Sequence, residues 1–269
     1  MARRNARSES KLRVCRYCIV VLVVAIVAGS SPPRAASGNA WQTAHAGASL
    51  DLPIQLIAEA EQAYQGIRDY SCLFVKREQI RGQLQADNLI EMKVRTQPFS
   101  VYMRWLGPQP LAGQEACYVA GRNNGMLRAH STGLTGMMGF MSLDVHDPRV
   151  MQNNRHSIAE AGIGHVIDRL GQRWPAERQL GQTSVRVADY SYNQRACTRV
   201  ETMHPSSGNG QFYSYRTVVY FDKENHLPIR IETYDWPRGG NRAEGELLES
   251  YSFANLRLNV GLPESAFAY

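Results

Sequence analysis

The sequence predicts an α+β protein of mostly antiparallel β-strands, and three observations support this fold class. Roughly nine or ten segments alternate apolar and polar residues with a period of two, as half-buried strands do. Two other segments place their apolar residues at helical spacing. Asn124–Gly125 stands between two short apolar runs, which is typical of a β-hairpin. Strands at such short spacing predict a barrel or a strongly curved sheet, with the helices covering or filling it.

The first 40 residues have the composition of a secretory signal peptide. Six basic residues precede an apolar run from Cys18 to Ala28, and small residues follow it. The run has eleven residues, which is short of the roughly 20 needed to span a bilayer, although an uncleaved anchor is the alternative. We therefore expect residues 1–40 to be a signal peptide, 41–50 a flexible tether and 51–269 a single domain. The expected location is the periplasm or cell envelope.

Setting the leader aside removes the net positive charge of the chain. The chain has 30 Lys and Arg against 24 Asp and Glu, but seven of these bases and one acid lie in residues 1–40. Residues 41–269 therefore hold 23 bases and 23 acids. A domain near neutrality offers no basic surface for a phosphate backbone, so we expect no nucleic-acid partner.

Two segments of the domain are predicted to be helical. The first carries apolar residues at helical spacing after Asp51, which we expect to be its N-cap, and ends near Gly66. The second follows the capping-box residues Ser157 and Glu160. Its apolar stripe consists of Ile163, Val166, Ile167 and Leu170.

Residues 70–130 have the alternation of an antiparallel meander. In the first strand Phe74, Lys76 and Glu78 share one face with Tyr70 and Cys72. Two further alternating stretches follow, LIEMKVRT and FSVYMRWL. The apolar faces of these two stretches consist of Ile90, Met92, Val94, Phe99, Val101, Met103 and Trp105.

Residues 131–154 break this alternation. The stretch has no clear period, which is unusual for its length inside a compact domain. It places Met137, Met138, Phe140 and Met141 between glycines. Because flexible methionines form adaptable apolar surfaces, the segment is either a ligand-contacting lid or a loop whose apolar side chains enter the core.

No catalytic, nucleotide-binding or metal-binding motif stands out in the sequence. The densest group of candidate residues is Asp222, Glu224 and His226, between the β-like runs VVYF and IRIET. We interpret this group as a hairpin turn that faces water. Carboxylates such as Glu78 fall on strands, but alternation alone leaves open whether two of them converge. We therefore expect no catalytic residue, metal or cofactor.

Three cysteines lie beyond the leader, at Cys72, Cys117 and Cys197. An exported protein can keep a disulfide, and an odd number of cysteines leaves one thiol unpaired. We expect a Cys72–Cys197 disulfide, with three buried thiols as the alternative and a catalytic cysteine as the least favoured interpretation.

Several blocks of the sequence resemble known families. YSCLFVKRE, PFSVYMRW, YVAGRNNGMLRAH and NRHSIAEAGI resemble an exported bacterial family, the domain-of-unknown-function family 1571, over most of residues 52–269. YFDKENHLPIRIETYDW and FANLRLNVGLPESAF resemble the C-terminal half of the LolA/LolB-like lipoprotein carriers. The second resemblance implies a half-open curved sheet or incomplete β-barrel of about nine to eleven strands. Two to three helices would pack at its mouth, around an apolar cavity.

Such a cavity implies a non-enzymatic protein that binds a lipid, a lipoprotein or another apolar ligand. Membrane contact would be transient or made through the N-terminal segment, while the oligomeric state stays open. The alternatives are an envelope scaffold with a filled core and, less favoured, an envelope hydrolase. The candidate ligand-binding residues, each of which could also be plain core, are Phe74, Met92, Phe99, Val101, Met103 and Trp105, with Met137, Met138 and Phe140 as a lid.

Overall fold

The computed structural model describes residues 49–207, 210–237 and 244–268, except the side chains of residues 134, 135 and 138. The three helices are α1 (Asp51–Gln65), α2 (Pro148–Met151) and α3 (Ile163–Leu180). The strands are β1 (Asp69–Ile80), β2 (Gln83–Leu84), β3 (Asn88–Arg95), β4 (Ser100–Gly107), β5 (Glu115–Val119), β6 (Leu127–His130), β7 (Met141–Leu143), β8 (Ser184–Tyr192), β9 (Arg195–Met203), β10 (Arg216–Asp222), β11 (Pro228–Asp235) and β12 (Glu246–Leu258).

The predicted signal peptide and nearly all of the predicted tether lie outside the described residues, so both stay predictions. Among the helices that are described, none has the length and apolarity required to cross a bilayer.

In the described part of the chain, all twelve strands belong to one antiparallel sheet. The order is β7-β6-β5-β4-β3-β1-β12-β11-β10-β9-β8, and the short β2 pairs with the end of β1. The sheet is open, with β7 and β8 at its edges. This confirms the predicted α+β class and the half-open sheet. Two strands were not expected, because β2 has two residues and β7 has three, too few to show alternation.

One face of the sheet, called here the inner face, packs against α1 and α3. The alternation of β1, β3 and β4 places Tyr70, Met92 and Val101 on this face, where each is fully buried. The apolar stripes of the two helices cover them, with Trp174 of α3 among the largest buried side chains. A fully buried aromatic side chain of this size contributes about 1.5–3 kcal/mol or more through the hydrophobic effect.

The helix α3 begins later than its capping box predicts. Ser157 accepts a hydrogen bond from the backbone N–H of Ala159, so it caps a short 3-10 turn over 158–160 instead. The chain then passes through Gly162 at φ +100°, where an added Cβ would lie 2.5 Å from the Tyr70 hydroxyl oxygen. That hydroxyl oxygen accepts a hydrogen bond from the backbone N–H of Ile163 at 2.9 Å. Tyr70 of β1 therefore caps α3 and fixes its start over the sheet.

The helix α1 also departs from its predicted cap. Leu50 is the N-cap residue and makes no side-chain capping bond, while Asp51 lies inside the first turn. The Asp51 carboxylate accepts a hydrogen bond from Ser49 and pairs with Arg178 of α3 at 2.9 Å. Asp51 thus links the two helices at the surface.

The stretch with Asp222, Glu224 and His226 is the predicted hairpin, formed by β10 and β11. Glu224 is exposed, but Asp222 is buried, contrary to the prediction that these acids face water. The Asp222 carboxylate accepts hydrogen bonds from the backbone N–H groups of Glu224 and Asn225 and pairs with Arg195. Asp222 therefore organises the turn and is not part of a reactive cluster.

The predicted Cys72–Cys197 disulfide is not formed in the structure. Cys72, Cys117 and Cys197 are all buried free thiols. Cys72 packs on the inner face, whereas Cys197 belongs to an apolar cluster with Val218 on the opposite face. Three strands lie between β1 and β9, which places the two cysteines about 19 Å apart along the sheet. A disulfide requires Cα atoms within about 7 Å.

Candidate functional site

A cavity of about 780 Å³ lies on the inner face of the sheet. Its floor is formed by strands from both halves of the sheet, including β1, β3, β4, β6 and β12. The segment from Arg149 to Arg173, which includes most of α2 and the first part of α3, forms the opposite wall. The cavity is partly open to solvent and is the candidate functional site.

Most of the cavity wall is apolar. The apolar side chains come from alternate positions of the strands and from the wall segment, so the sheet presents a continuous apolar floor. They include Phe74, Ile90, Met103, Trp105, Leu127, Met141, Leu143, Val150, Ile158, Val166 and Phe253.

Three of the predicted ligand-binding residues lie on this wall. The ring of Phe74 stacks on the rings of Phe253 and Tyr251, with centroids 5.3 and 5.8 Å away. Met103 lies further along the floor. Trp105 also lines the cavity, and its indole N–H donates to the Asn88 side-chain oxygen at 2.8 Å. The indole is therefore held in one orientation with its polar atom satisfied.

The other predicted strand residues do not line the cavity. Met92 and Val101 have no exposed surface and belong to the core cluster that includes α1 and α3. Phe99 packs edge-on against the ring of His165, with centroids 5.1 Å apart, and His165 lines the cavity. All three side chains share the face predicted for them, but the helices separate them from the open space.

Met137 and Phe140, two of the three residues predicted to form a lid, do not line the cavity. Met137 is 84% exposed, and Phe140 packs against the ring of His130 with centroids 5.1 Å apart. The side chain of Met138 lies outside the described part. Other residues of the same segment do reach the cavity, namely Met141, Leu143 and Val150.

One end of the cavity is polar. Two carboxylates lie close together at the centre of this polar end. The register of β1 and β12 places Glu78 directly opposite Glu249. Both are buried, and the Tyr251 hydroxyl is within hydrogen-bond distance of both carboxylates. Like charges directly opposite each other in a sheet are unfavourable, so this pair requires compensating cations.

The compensating cations Arg155 and Lys76, and the further donor His156, come from the chain just before α3 and from β1. Arg155 and His156 hydrogen-bond the Glu249 carboxylate at 3.2 and 2.7 Å. Lys76 pairs with Glu78 at 3.1 Å, and the backbone N–H of Arg155 also donates to Glu78. Each carboxylate therefore has several donors.

The surroundings of Glu249 fix its charge. Burial acts to raise the pKa of this carboxyl, but the hydrogen bond from His156 and the charges of Arg155 and Arg169 outweigh burial and lower the pKa to about 2. Burial and the neighbouring carboxylates in turn raise the pKa of Tyr251. Glu249 is thus an anion and Tyr251 a neutral phenol at neutral pH.

This arrangement does not match the general acid of a hydrolase. A carboxyl that protonates a leaving group at neutral pH requires a raised pKa, whereas the pKa of Glu249 is lowered. In the described residues, no group of three or more His, Cys, Asp or Glu side chains is arranged to hold a metal ion.

Two further arginines of α3 stand beside this polar end. Two nitrogens of the Arg169 guanidinium lie 3.2 and 3.4 Å from the ring nitrogens of His156, and one lies 3.5 Å from a Glu160 oxygen. The guanidinium of Arg173 lies 4.2 Å above the ring centroid of Tyr213. Both arginines line the cavity.

Sequence reasoning missed most of this polar group. The period of two in β1 already placed Lys76 and Glu78 on the same face as Phe74. The signal for Glu249 and Tyr251 was weaker, because it required knowing that β12 pairs with β1. The position of Arg155 follows from a turn with no periodic pattern, so the sequence held no signal for it.

Comparisons with solved structures found several distant likenesses. An uncharacterized conserved protein from Thermus thermophilus has a TM-score of 0.46 at 9% identity, over 81% of this chain and 93% of that one. A LolA superfamily protein from Nitrosomonas europaea has a TM-score of 0.30 at 11% identity, over 79% and 96%. The Mycobacterium tuberculosis lipoprotein LppX has a TM-score of 0.37 at 10% identity, over 78% and 96%. At these scores the likenesses carry no conclusion about function.

No curated protein matches the chain. The profile of one family, described as "Protein of unknown function (DUF1571)", matches residues 67–269. The match covers all twelve strands, α2, α3 and the cavity that they form, together about three quarters of the sequence. The chain therefore belongs to the DUF1571 family.

Proposed function

We propose that this chain is an exported cell-envelope protein that binds a lipid, a lipoprotein or another apolar ligand in its cavity and catalyses no reaction. The observation that carries the proposal is the apolar cavity of about 780 Å³ on the inner face of the sheet. Its volume lies within the range of roughly 300–1,000 Å³ that is usual for small-molecule sites.

The energetics of burial support an apolar ligand. Each methylene transferred from water contributes about 0.8 kcal/mol, so a chain of about twelve methylenes would contribute about 10 kcal/mol. That exceeds the lower estimates of the cost of association, which span about 4–15 kcal/mol, and each further methylene adds about 0.8 kcal/mol to the surplus. The wall that would supply this contact includes Phe74, Met103, Trp105 and Phe253.

Two other functions are less well supported. A scaffold with a filled core would leave no space of this size between the sheet and the segment that covers it. A hydrolase would need a proton donor or a nucleophile that is active at neutral pH. The converging carboxylates Glu78 and Glu249 are both held as acceptors of hydrogen bonds from cations.

The test uses a neutral apolar ligand and a variant that fills the cavity. The purified protein is titrated with N-phenyl-1-naphthylamine, and native mass spectrometry of the untreated protein detects any lipid that copurifies. Ala129 lines the cavity, so Ala129→Trp should weaken binding of the dye at least about tenfold through steric exclusion. Ala196 is an exposed alanine of β9 outside the cavity wall, and Ala196→Trp is the matched control.

The proposal predicts that the control keeps the affinity of the unmodified protein. A protein that carries no lipid and binds no apolar dye would refute it. Equal binding by both variants would show that the dye binds elsewhere and would also refute it.

A further inference from the structure

The polar end of the cavity contains one positive charge without a protein partner. Arg173 projects from α3 to the cavity wall, where its guanidinium lies 4.2 Å above the ring of Tyr213. Within the described ranges, the Arg173 guanidinium makes no hydrogen bond and no ion pair. A guanidinium has five N–H donors, so a large capacity for hydrogen bonds is left to solvent or to a ligand.

The nearby carboxylates are engaged by other cations. Glu78 pairs with Lys76 at 3.1 Å, and Glu249 pairs with Arg155 at 3.2 Å. The remaining carboxylate close to Arg173 is Glu177, one turn further along α3.

The Glu177 carboxylate points away from the cavity. One of its oxygens lies 3.3 Å from the Nε2 atom of the buried His204, which follows β9. Glu160, at the other end of the wall, lies 3.5 Å from Arg169. With these contacts made elsewhere, the Arg173 guanidinium is left at the cavity wall without a hydrogen bond or ion pair among the described residues.

The position of Arg173 is unfavourable for the empty protein. Arg169 lies four residues earlier on the same helix, and like charges at this spacing repel each other. Burial and the charge of Arg169 lower the pKa of Arg173, and together they outweigh the attraction of Glu249 and Glu177. A charged group held at a cost to stability in a cavity wall is typical of a binding residue.

We propose that Arg173, with Arg169 beside it, binds the oxyanion of an amphiphilic ligand whose apolar chain occupies the rest of the cavity. This inference rests on the proposed function and specifies the ligand class, a carboxylate or phosphate ester joined to an alkyl chain. The planar guanidinium can hold either oxyanion through two parallel hydrogen bonds. The ring of Tyr213 supports the guanidinium from one face and leaves its N–H edge available.

The geometry of the cavity suits such a ligand. The polar end, with Arg169, Arg173 and His156, is continuous with the apolar wall that contains Phe74 and Met103. A head group at the arginines would therefore place the first carbons of its chain against that wall. A purely apolar ligand would leave Arg173 buried without an acceptor, which is costly.

The experiment compares ligands that share one chain and differ in the head group. Isothermal titration calorimetry measures binding of dodecanoate, dodecyl phosphate, dodecanol and inorganic phosphate to the full chain and to two variants. Arg173→Gln removes the charge at the proposed site. Arg178→Gln is the matched control, because Arg178 is an exposed arginine of the same helix and does not line the cavity.

We expect dodecanoate and dodecyl phosphate to bind the unmodified protein at least about tenfold more tightly than dodecanol. This preference for the charged head groups over the alcohol should disappear in Arg173→Gln and persist in Arg178→Gln. The unfolding midpoint of unliganded Arg173→Gln should equal or exceed that of the unmodified protein, because the repulsion from Arg169 is removed. This measurement shows that a loss of binding is not a loss of folding.

Each remaining outcome contradicts the inference in a distinct way. Equal binding of dodecanol and dodecanoate, with no effect of Arg173→Gln, would overturn the head-group site and leave the proposed function standing. Binding of inorganic phosphate as tight as that of dodecyl phosphate would assign the arginines to a soluble anion and overturn the amphiphile. Binding of none of the chain-bearing ligands would overturn both.

Discussion

Replacing Glu249 with glutamine should reveal how much the polar end of the cavity contributes to stability. The carboxylate is buried and receives hydrogen bonds from Arg155 and His156, and the Tyr251 hydroxyl lies 3.2 Å away. Glutamine has nearly the same shape but no charge, so Glu249→Gln leaves the cations of this cluster without their central anion. The change tests the electrostatic role of the residue with little disturbance of packing.

The lowered pKa of Glu249 sets the size of the effect. An ordinary glutamate has a pKa of 4.5, and in the folded protein the pKa of Glu249 is about 2. At about 1.4 kcal/mol per pKa unit, this difference corresponds to about 3 kcal/mol of stability. Because the folded-state pKa is below the unfolded value, the contribution is complete above about pH 5. It falls to about half by pH 3 and vanishes as the pH drops below the folded-state pKa.

Urea unfolding between pH 3 and pH 7 measures this contribution. We expect Glu249→Gln to lose about 3 kcal/mol at pH 7 and clearly less at pH 3. The control is Glu91→Gln, in which a half-exposed glutamate on β3 paired with Lys93 is replaced, and it should change stability by less than about 0.5 kcal/mol. A loss at Glu249 that is the same at both pH values would refute the reasoning, because packing alone has no such pH dependence.

Two further predictions concern the hairpin turn and the cysteines. Asp222→Ala should lower the free energy of unfolding by about 2 kcal/mol, because two backbone N–H groups and Arg195 lose their buried acceptor. Glu224→Ala, at the exposed neighbouring position, is the control and should have almost no effect. Chemical denaturation of the two variants measures this, and equal stabilities would contradict the turn-organising role of Asp222. Cys72, Cys117 and Cys197 should resist alkylation in the native protein, since burial raises the pKa of each thiol, and all three should react in denaturant without a reductant. Peptide mass spectrometry maps the modified sites. If Cys72 and Cys197 stay unmodified in denaturant, they are joined in the predicted disulfide and the free thiols are contradicted.

The part of the cavity that could be predicted from the sequence is the part that depends on strand geometry alone. Side chains alternate between the two faces of a strand, so Phe74, Met103 and Trp105 could be assigned to one apolar face from their spacing. The same reasoning could not separate them from Met92 and Val101. These two residues share that face, but α1 and α3 cover it there.

The polar end of the cavity illustrates what spacing cannot reveal. Glu78 and Glu249 lie far apart in the sequence, and they meet because β12 pairs with β1. Arg155 reaches them from an irregular turn, while Arg173 reaches the same region from the middle of α3. None of these residues belongs to a motif, so each could be interpreted as an ordinary surface or core position.

The sequence by itself determined the α+β class, the apolar faces of the main strands and the hairpins, since these follow from local periodicity and turn residues. The tertiary structure alone decided the order of the strands, the free state of the three buried cysteines and the residues that line the cavity. Long-range pairing selects one arrangement among many that share the same local pattern. The helices then determine which portion of the apolar face becomes core and which stays open to a ligand.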